Sequence, residues 1–125
     1  MRVAIVGSRD FQDLVAVHDY VAALPLGTVV VSGGARGVDT AAREAAKALG
    51  FAFEEFPADW NLHGRRAGMI RNAAMIETCD RVAAFWNGRS RGTDNAIKTA
   101  RRLGKPVSVF GDRLEEWLGR ENANS

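Results

Sequence analysis

The sequence predicts an α/β fold, a single doubly wound, Rossmann-like domain. It should have five parallel strands in the order 3-2-1-4-5, with helices on both faces. Three observations carry that expectation. Apolar runs of strand length alternate with segments of helical periodicity, a pattern that demands a parallel sheet with right-handed crossovers. The runs are nearly continuous in apolar residues, as burial on both faces requires. The unusual residues gather in the segments that follow the strands, where such sheets bind ligands.

Taken in order, "RVAIV" (2–6) reads as a buried strand that Gly7 ends. Residues 11–24 place Phe11, Leu14, Val15, Val17, Val21 and Leu24 at helical spacing and stop at Pro25. "TVVVS" (28–32) is a second strand, and a helix over 38–49 ends at Gly50. "FAFEEF" (51–56) is a third, halted by Pro57; the loop "PADWNLHG" leads into a helix over 64–78. "RVAAFW" (81–86), a helix over 92–103 and "PVSVF" (106–110) complete the alternation, and "RLEEWL" forms a last short helix. The domain is therefore expected over residues 1–119, with 120–125 a frayed polar tail.

The 125 residues suffice for one core and not for two. No apolar run approaches the roughly 20 residues of a membrane span, and no signal-peptide pattern opens the chain. The single cysteine, Cys79, cannot form an intramolecular disulfide, so the cytoplasm is the expected location. Cys79, His18 and His63 lack metal-ligand spacing, so no metal site is expected.

Of the 17 basic residues, 14 are arginines, whose planar forks suit phosphate and carboxylate. A GC-rich genome would by itself favour arginine codons everywhere, so position decides. "GSRD" (7–10), "SGGARGVD" (32–39), "PADWNLHGRRAGMIRN" (57–72) and "NGRSRGTD" (87–94) hold Arg9, Arg36, Arg65, Arg66, Arg71, Arg89 and Arg91. Half of the arginines thus lie at one edge, with Asp10, Asp39, Asp59 and Asp94 among them. The opposite-edge turns "PLG" (25–27) and "LGK" (103–105) are plain. That skew points to an anion site in the crevice between the first and fourth strands.

Within the hinge, Ser32, Gly33, Gly34, Arg36 and Gly37 permit a sharp turn and close approach of a ligand. The helix beginning near Val38 would face an anion with its unpaired N–H groups. Asp39 would cap that helix or accept hydrogen bonds from ribose hydroxyls. Glycines packed for their own sake are the duller alternative. The spacing fits neither the dinucleotide fingerprint nor a P-loop. "SRGTDNAI" (90–97) offers a second anion seat through Ser90, Gly92 and Thr93, against which stands simple N-capping. Gly7, Ser8 and Arg9 should end the first strand at the crevice.

"GSRDF", "SGGARGVDTAA", "PADW…GRRAGMIRNAAM" and "AAFWNGRSRGTDNAIKTARRLGKPV" together resemble the YspA/YpsA-like branch of the SLOG superfamily. That superfamily joins the Smf/DprA DNA-processing proteins to the LONELY GUY nucleotide hydrolases. The resemblance covers residues 2–110 and implies a Rossmann-like sheet with a pocket for nucleotide-derived ligands. It also implies a homodimer paired through helices. LONELY GUY enzymes use a glutamate within G-G-x-G-T-x-x-E; Gly92 and Thr93 match, but Ala96 stands at the glutamate position. Hydrolysis by that route is unsupported unless Asp94 or Asp59 substitutes. DprA-like proteins, which bind single-stranded DNA, share the serine-glycine hinge and the pair seen here as Arg71-Asn72.

The expected function is binding of a nucleotide-derived ligand, as a sensor or as a hydrolase of a glycosidic or phosphate bond. Phosphates would rest on residues 33–38 and 90–93, and Arg9, Arg36, Arg65 and Arg71 would neutralise them. Asn72 or Asp39 would read ribose or base, and Trp60 would cover the base. No cofactor beyond that ligand is indicated. The alternatives are a minimal single-stranded DNA-binding module and an interaction domain without a ligand.

Overall fold

The computed structural model describes residues 1–123, and for 120–123 the backbone alone. Its five strands are β1 (Arg2–Gly7), β2 (Val29–Ser32), β3 (Ala52–Glu55), β4 (Arg81–Trp86) and β5 (Val107–Gly111). All pair in parallel, in the order β3-β2-β1-β4-β5. The chain therefore leaves β1 toward one half of the sheet, and β4 begins the other half. Their adjacent C-terminal ends, with Gly7 beside Phe85, open the crevice that the strand order predicts.

The helices are α1 (Leu14–Ala22), α2 (Val38–Leu49), α3 (Trp60–His63), α4 (Ala67–Glu77), α5 (Arg91–Arg102) and α6 (Arg113–Ala123). Alternation along the central strands divides the core. Val3 and Ile5 of β1, with Ala83 and Phe85 of β4, pack on α1 and α2. Ala4, Val6, Val82 and Ala84 face α4 and α5 on the other side. Phe85 anchors the first layer, stacking on Phe110 at 4.9 Å and meeting Phe11 and Tyr20 edge-on. Such aromatic contacts add about 0.5–1.5 kcal/mol each beyond their buried area.

Three elements differ from the expected boundaries. The first helix starts at Leu14 because the Asp13 carboxylate caps it, accepting from Ala16 N at 3.3 Å. Over the expected helix of 64–78 the chain forms a 3-10 turn, Gly64–Arg66, and α4, while α3 falls within the expected loop. Asp59 starts α3 early by accepting from Leu62 N at 3.0 Å, and Gly64, at φ +57°, breaks it. The last helix runs on to Ala123, through most of the expected tail. No proline follows Pro106 to stop it; residues 124–125 lie outside the described residues. No helix among the described residues is long and apolar enough to cross a membrane.

Gly37 shows why the link into α2 needs glycine. Its φ of +73° with ψ of −115° is open to little else. A Cβ there would also collide with the carbonyl oxygen of Arg9. Gly37→Ala should cost at least the ~1–3 kcal/mol of such backbone strain. Gly50→Ala, at an open left-handed C-cap, should cost about 1 kcal/mol, the penalty of an L-residue in that region. Urea denaturation of both variants checks the difference, and equal losses would remove the special role of Gly37.

Candidate functional site

The crevice is one cavity of about 870 Å³ at the C-terminal ends of β1 and β4. Its wall brings together Gly7, Arg9, Gly33, Asp39, Trp60, Arg65, Arg71, Asn72, Ser90, Gly92 and Thr93. Asp94 also reaches it. Ser8 and Ser32 are fully buried and, with Gly34, Arg36, Gly37 and Asp59, lie outside the wall. One cavity forms, and the hinge reaches it through Gly33 and Ala35 alone.

The hinge is packed by the protein itself. A Cβ on Gly33 would collide with the Arg71 guanidinium, and one on Gly34 would lie 2.7 Å from the Glu55 carboxyl group. On Gly7 it would meet Val38 at 2.5 Å. These glycines serve internal close approach. The hinge also already holds an anion, because the Asp39 carboxylate accepts from Ala35 N at 2.9 Å. The expected phosphate seat at 33–38 is thus partly filled by a side chain from the first turn of α2.

Asp39 is almost wholly buried. Burial pushes its carboxyl pKa up, and the neighbouring Glu55 adds to this. The N–H groups of Ala35 and Gly33, with the Arg71 guanidinium, oppose the rise. Burial pulls Arg71 below its ordinary value and Arg9 lowers it further, while Asp39 holds it up.

Arg71 and Asn72, adjacent on α4, bind the two ends of the site together. Arg71 Nη1 donates to Gly33 O at 2.6 Å and Phe56 O at 3.3 Å, and its Nε donates to Asn72 Oδ1 at 3.0 Å. Asn72 Nδ2 in turn donates to Gly92 O at 3.3 Å and Asn95 Oδ1 at 3.0 Å. The pair spans from the hinge after β2 to the first turn of α5.

The α5 end leaves backbone donors open toward the cavity. Ser90 is the N-cap, with its Oγ 3.4 Å from Thr93 N and 3.1 Å from Thr93 Oγ1. The capping alternative is therefore real, yet it uses only the third amide. The N–H groups of Arg91 and Gly92 have no protein acceptor among the described residues. Asn87 shapes the preceding turn, its Oδ1 accepting from Arg89 N at 2.8 Å and Ser90 N at 2.9 Å. Beneath it, Ser8 Oγ accepts from Asn87 N at 3.2 Å. Ser8 supports the site rather than facing it.

The arginines divide by partner. Arg89 pairs with Glu115 at 2.7 Å and approaches Asp10 at 3.9 Å. Lys98 pairs with Asp94 at 2.9 Å. Arg9, Arg65 and Arg91 line the cavity with no ion-pair partner among the described residues. Trp60 stands 56% exposed at the rim, above Gly68, whose added Cβ would be 3.7 Å from its ring. Asp59 is spent on capping α3, and Ala96 presents only a methyl group. No cluster of three or more metal-ligating acids, histidines or cysteines exists among the described residues.

Asn87, Asn95, Met69, Met75 and Lys98 also line the wall without having been singled out from the sequence. The Asn-Gly pair at 87–88 is a turn signal that marks the first of these. Asp112 was missed although it directly follows β5; its buried carboxylate accepts from Gln12 N at 2.6 Å and Asp13 N at 3.2 Å. Extending the strand-end scan to the fifth strand finds it.

Fold and crevice together define a doubly wound α/β domain with its candidate site at the switch point of the sheet. The chain belongs to the YspA, cpYpsA-related SLOG family, which it matches over residues 1–63. It is 42% identical over 122 residues to the Gene 61 protein of Mycobacterium phage D29, covering 90% of this chain and 98% of that one. Among solved structures it is similar to DNA processing protein A of Streptococcus pneumoniae, with TM-score 0.74 and 23% identity. That match covers 86% of this chain but only 49% of the pneumococcal chain, so this chain spans about half its length. The TM1055 structure matches at TM-score 0.66 and 20% identity, over 92% of this chain and 80% of its own. DNA processing protein A of Helicobacter pylori matches at 0.63 and 20%, over 97% and 73% respectively. These likenesses to solved structures agree with the doubly wound α/β fold.

The shifted Asp39 makes a test. With its folded pKa above the unfolded value of about 3.9, the native state binds the proton more tightly between the two values. This contribution to stability therefore falls as pH rises through that interval. Asp39→Asn removes the fall. Urea midpoints from pH 3.5 upward should decline in wild type relative to the variant; parallel profiles would show that Asp39 ionises normally.

Proposed function

We propose that the protein binds a small nucleotide-derived ligand in the crevice. Its anionic group sits at the start of α5 rather than on the hinge. The carrying observation is the convergence of Arg9, Arg65 and Arg91, without ion-pair partners among the described residues, on one cavity with the free Arg91 and Gly92 amides. A helix N-terminus with free donors and adjacent guanidiniums favours phosphate. Asp39 and Asn72 lie on the same wall to meet ribose or base, and Trp60 offers a ring face. The volume lies within the range of small-molecule pockets. The reading is one of sensing: Asp94 is ion-paired, Asp59 is outside, and Ala96 cannot move a proton.

A second reading, single-stranded DNA binding, has its own observation. Trp60, Leu62 and Met69 are exposed near Arg65 and Arg66, a rim that combines cations with apolar surface. The Helicobacter pylori neighbour is described as binding single-stranded DNA. Salt separates the two readings. Affinity for single strands falls by roughly 0.7 log units per contacted phosphate for each tenfold rise in salt, whereas a ligand with one or two phosphates responds weakly.

A thermal-shift screen against nucleoside monophosphates, ADP-ribose, NAD and oligonucleotides tests both. A ligand at one hundred times its Kd adds about 2.7 kcal/mol. Alanine at Arg9, Arg65 or Arg91 should weaken nucleotide binding by about 1.5–3 kcal/mol each, while Arg36→Ala leaves it unchanged. An Arg36 effect as large as the others would return the anion to the hinge.

Gly92→Ala distinguishes ligand space from fold. No atom lies within 4 Å of a Cβ built there, and alanine favours helix by about 0.5–1 kcal/mol. The melting midpoint should hold or rise while nucleotide affinity drops. Unchanged affinity would place the ligand elsewhere.

A further inference from the structure

At one corner of the cavity a chain of polar contacts leads out to α6. Arg89, in the cavity wall, donates through Nη2 to Glu115 on α6 at 2.7 Å. Asp10, also in the wall, accepts from Asn87 Nδ2 at 2.7 Å and lies 3.9 Å from the same guanidinium. The buried Asp112 carboxylate joins the first turn of α6 to the segment after β1. It accepts from Glu115 N at 3.2 Å and from the amides of Gln12 and Asp13.

Apolar burial does comparatively little to hold this helix. Leu114, Trp117 and Leu118 form its stripe at helical spacing, and each remains 40–51% exposed. The position of α6 therefore depends on the polar junction at its start. That junction gathers three carboxylates, Asp10, Asp112 and Glu115, around one guanidinium. Taking Arg89 away leaves like charges facing one another.

We propose that α6 is a strap that ligand binding releases. The inference rests on the nucleotide reading of the cavity. An anionic group entering beside Arg91 and Gly92 competes with Glu115 for Arg89, and Glu115, losing its cation next to Asp10, swings out with α6. Trp117 and its apolar neighbours become the surface that reports occupancy. Linkage makes the effect reciprocal: whatever frees α6 must tighten binding by the same factor.

Hydrogen–deuterium exchange of the full chain, read on peptides covering 112–119, tests this in wild type and Glu115→Gln. Without ligand, the variant should exchange about two- to fivefold faster in α6, the scale of one exposed ion pair, with an unchanged melting midpoint. Adenosine monophosphate or ADP-ribose should raise wild-type exchange toward that of the variant, and should bind the variant two- to fivefold more tightly. Inorganic pyrophosphate, which contests Arg89 without base or ribose, should act in the same direction. Equal exchange in wild type and variant overturns the strap. Nucleotide binding that leaves α6 exchange unmoved also overturns it while the ligand reading stands. If neither nucleotide binds but pyrophosphate and Glu115→Gln both loosen α6, the nucleotide reading fails and the strap stands.

Discussion

The guanidinium of Arg71 is the constraint on which the site depends. It projects from α4 across the C-terminal end of the sheet and fastens on the carbonyl of Gly33. Through Asn72 the same turn of helix grips the start of α5. Without that bridge, the hinge after β2 and the turn after β4 would be separate loops on either side of a switch point. With it, they become two walls at a fixed spacing. The half-buried charge is tolerable because carbonyl oxygens saturate part of the fork and the Asp39 carboxylate lies close enough to favour it.

This arrangement explains the glycine-rich hinge in a way the sequence could not. A run such as Ser-Gly-Gly-Ala-Arg-Gly states that side chains are excluded, but not what excludes them. At Gly33 it is Arg71, at Gly34 Glu55, and at Gly37 the Arg9 carbonyl. Those neighbours come from β3, α4 and the end of β1, distant in sequence. The cradle geometry was legible and its occupant was not, because Asp39 reads equally well as a helix cap or a ligand contact.

The fold was the more legible part. Alternation of apolar runs and helical periodicity sufficed for a parallel sheet with right-handed crossovers, although only the central strands are buried on both faces and the edge strands β3 and β5 are largely exposed. The site was legible to the extent that topology fixes it: segments after β1, β2 and β4 had to converge, and they do. Legibility failed where a short polar contact overrides periodicity. Asp59 starts a helix in what reads as loop, and Asp112 ties the start of the last helix to the segment after β1, a pairing across 100 residues that no local pattern announces.

The charge balance narrows what the crevice can hold. Counting strand-end residues from sequence gives seven arginines against four aspartates, which suits any anion. The geometry sorts them. Arg71 faces Asp39, Arg89 is held by Glu115, and Asp94 is satisfied by Lys98. Arg36 and Arg66 lie outside the cavity wall. What remains inside is Arg9, Arg65 and Arg91, with two free amides at the start of α5. Three guanidiniums lining one open crevice suit the one to three phosphate charges of a small molecule. A polynucleotide presents a phosphate at every residue and needs cations along a track. Asp10, Asp39 and Asp94 stand among the cations of the same cavity wall, a balance that under the proposed reading favours a small ligand over a polynucleotide.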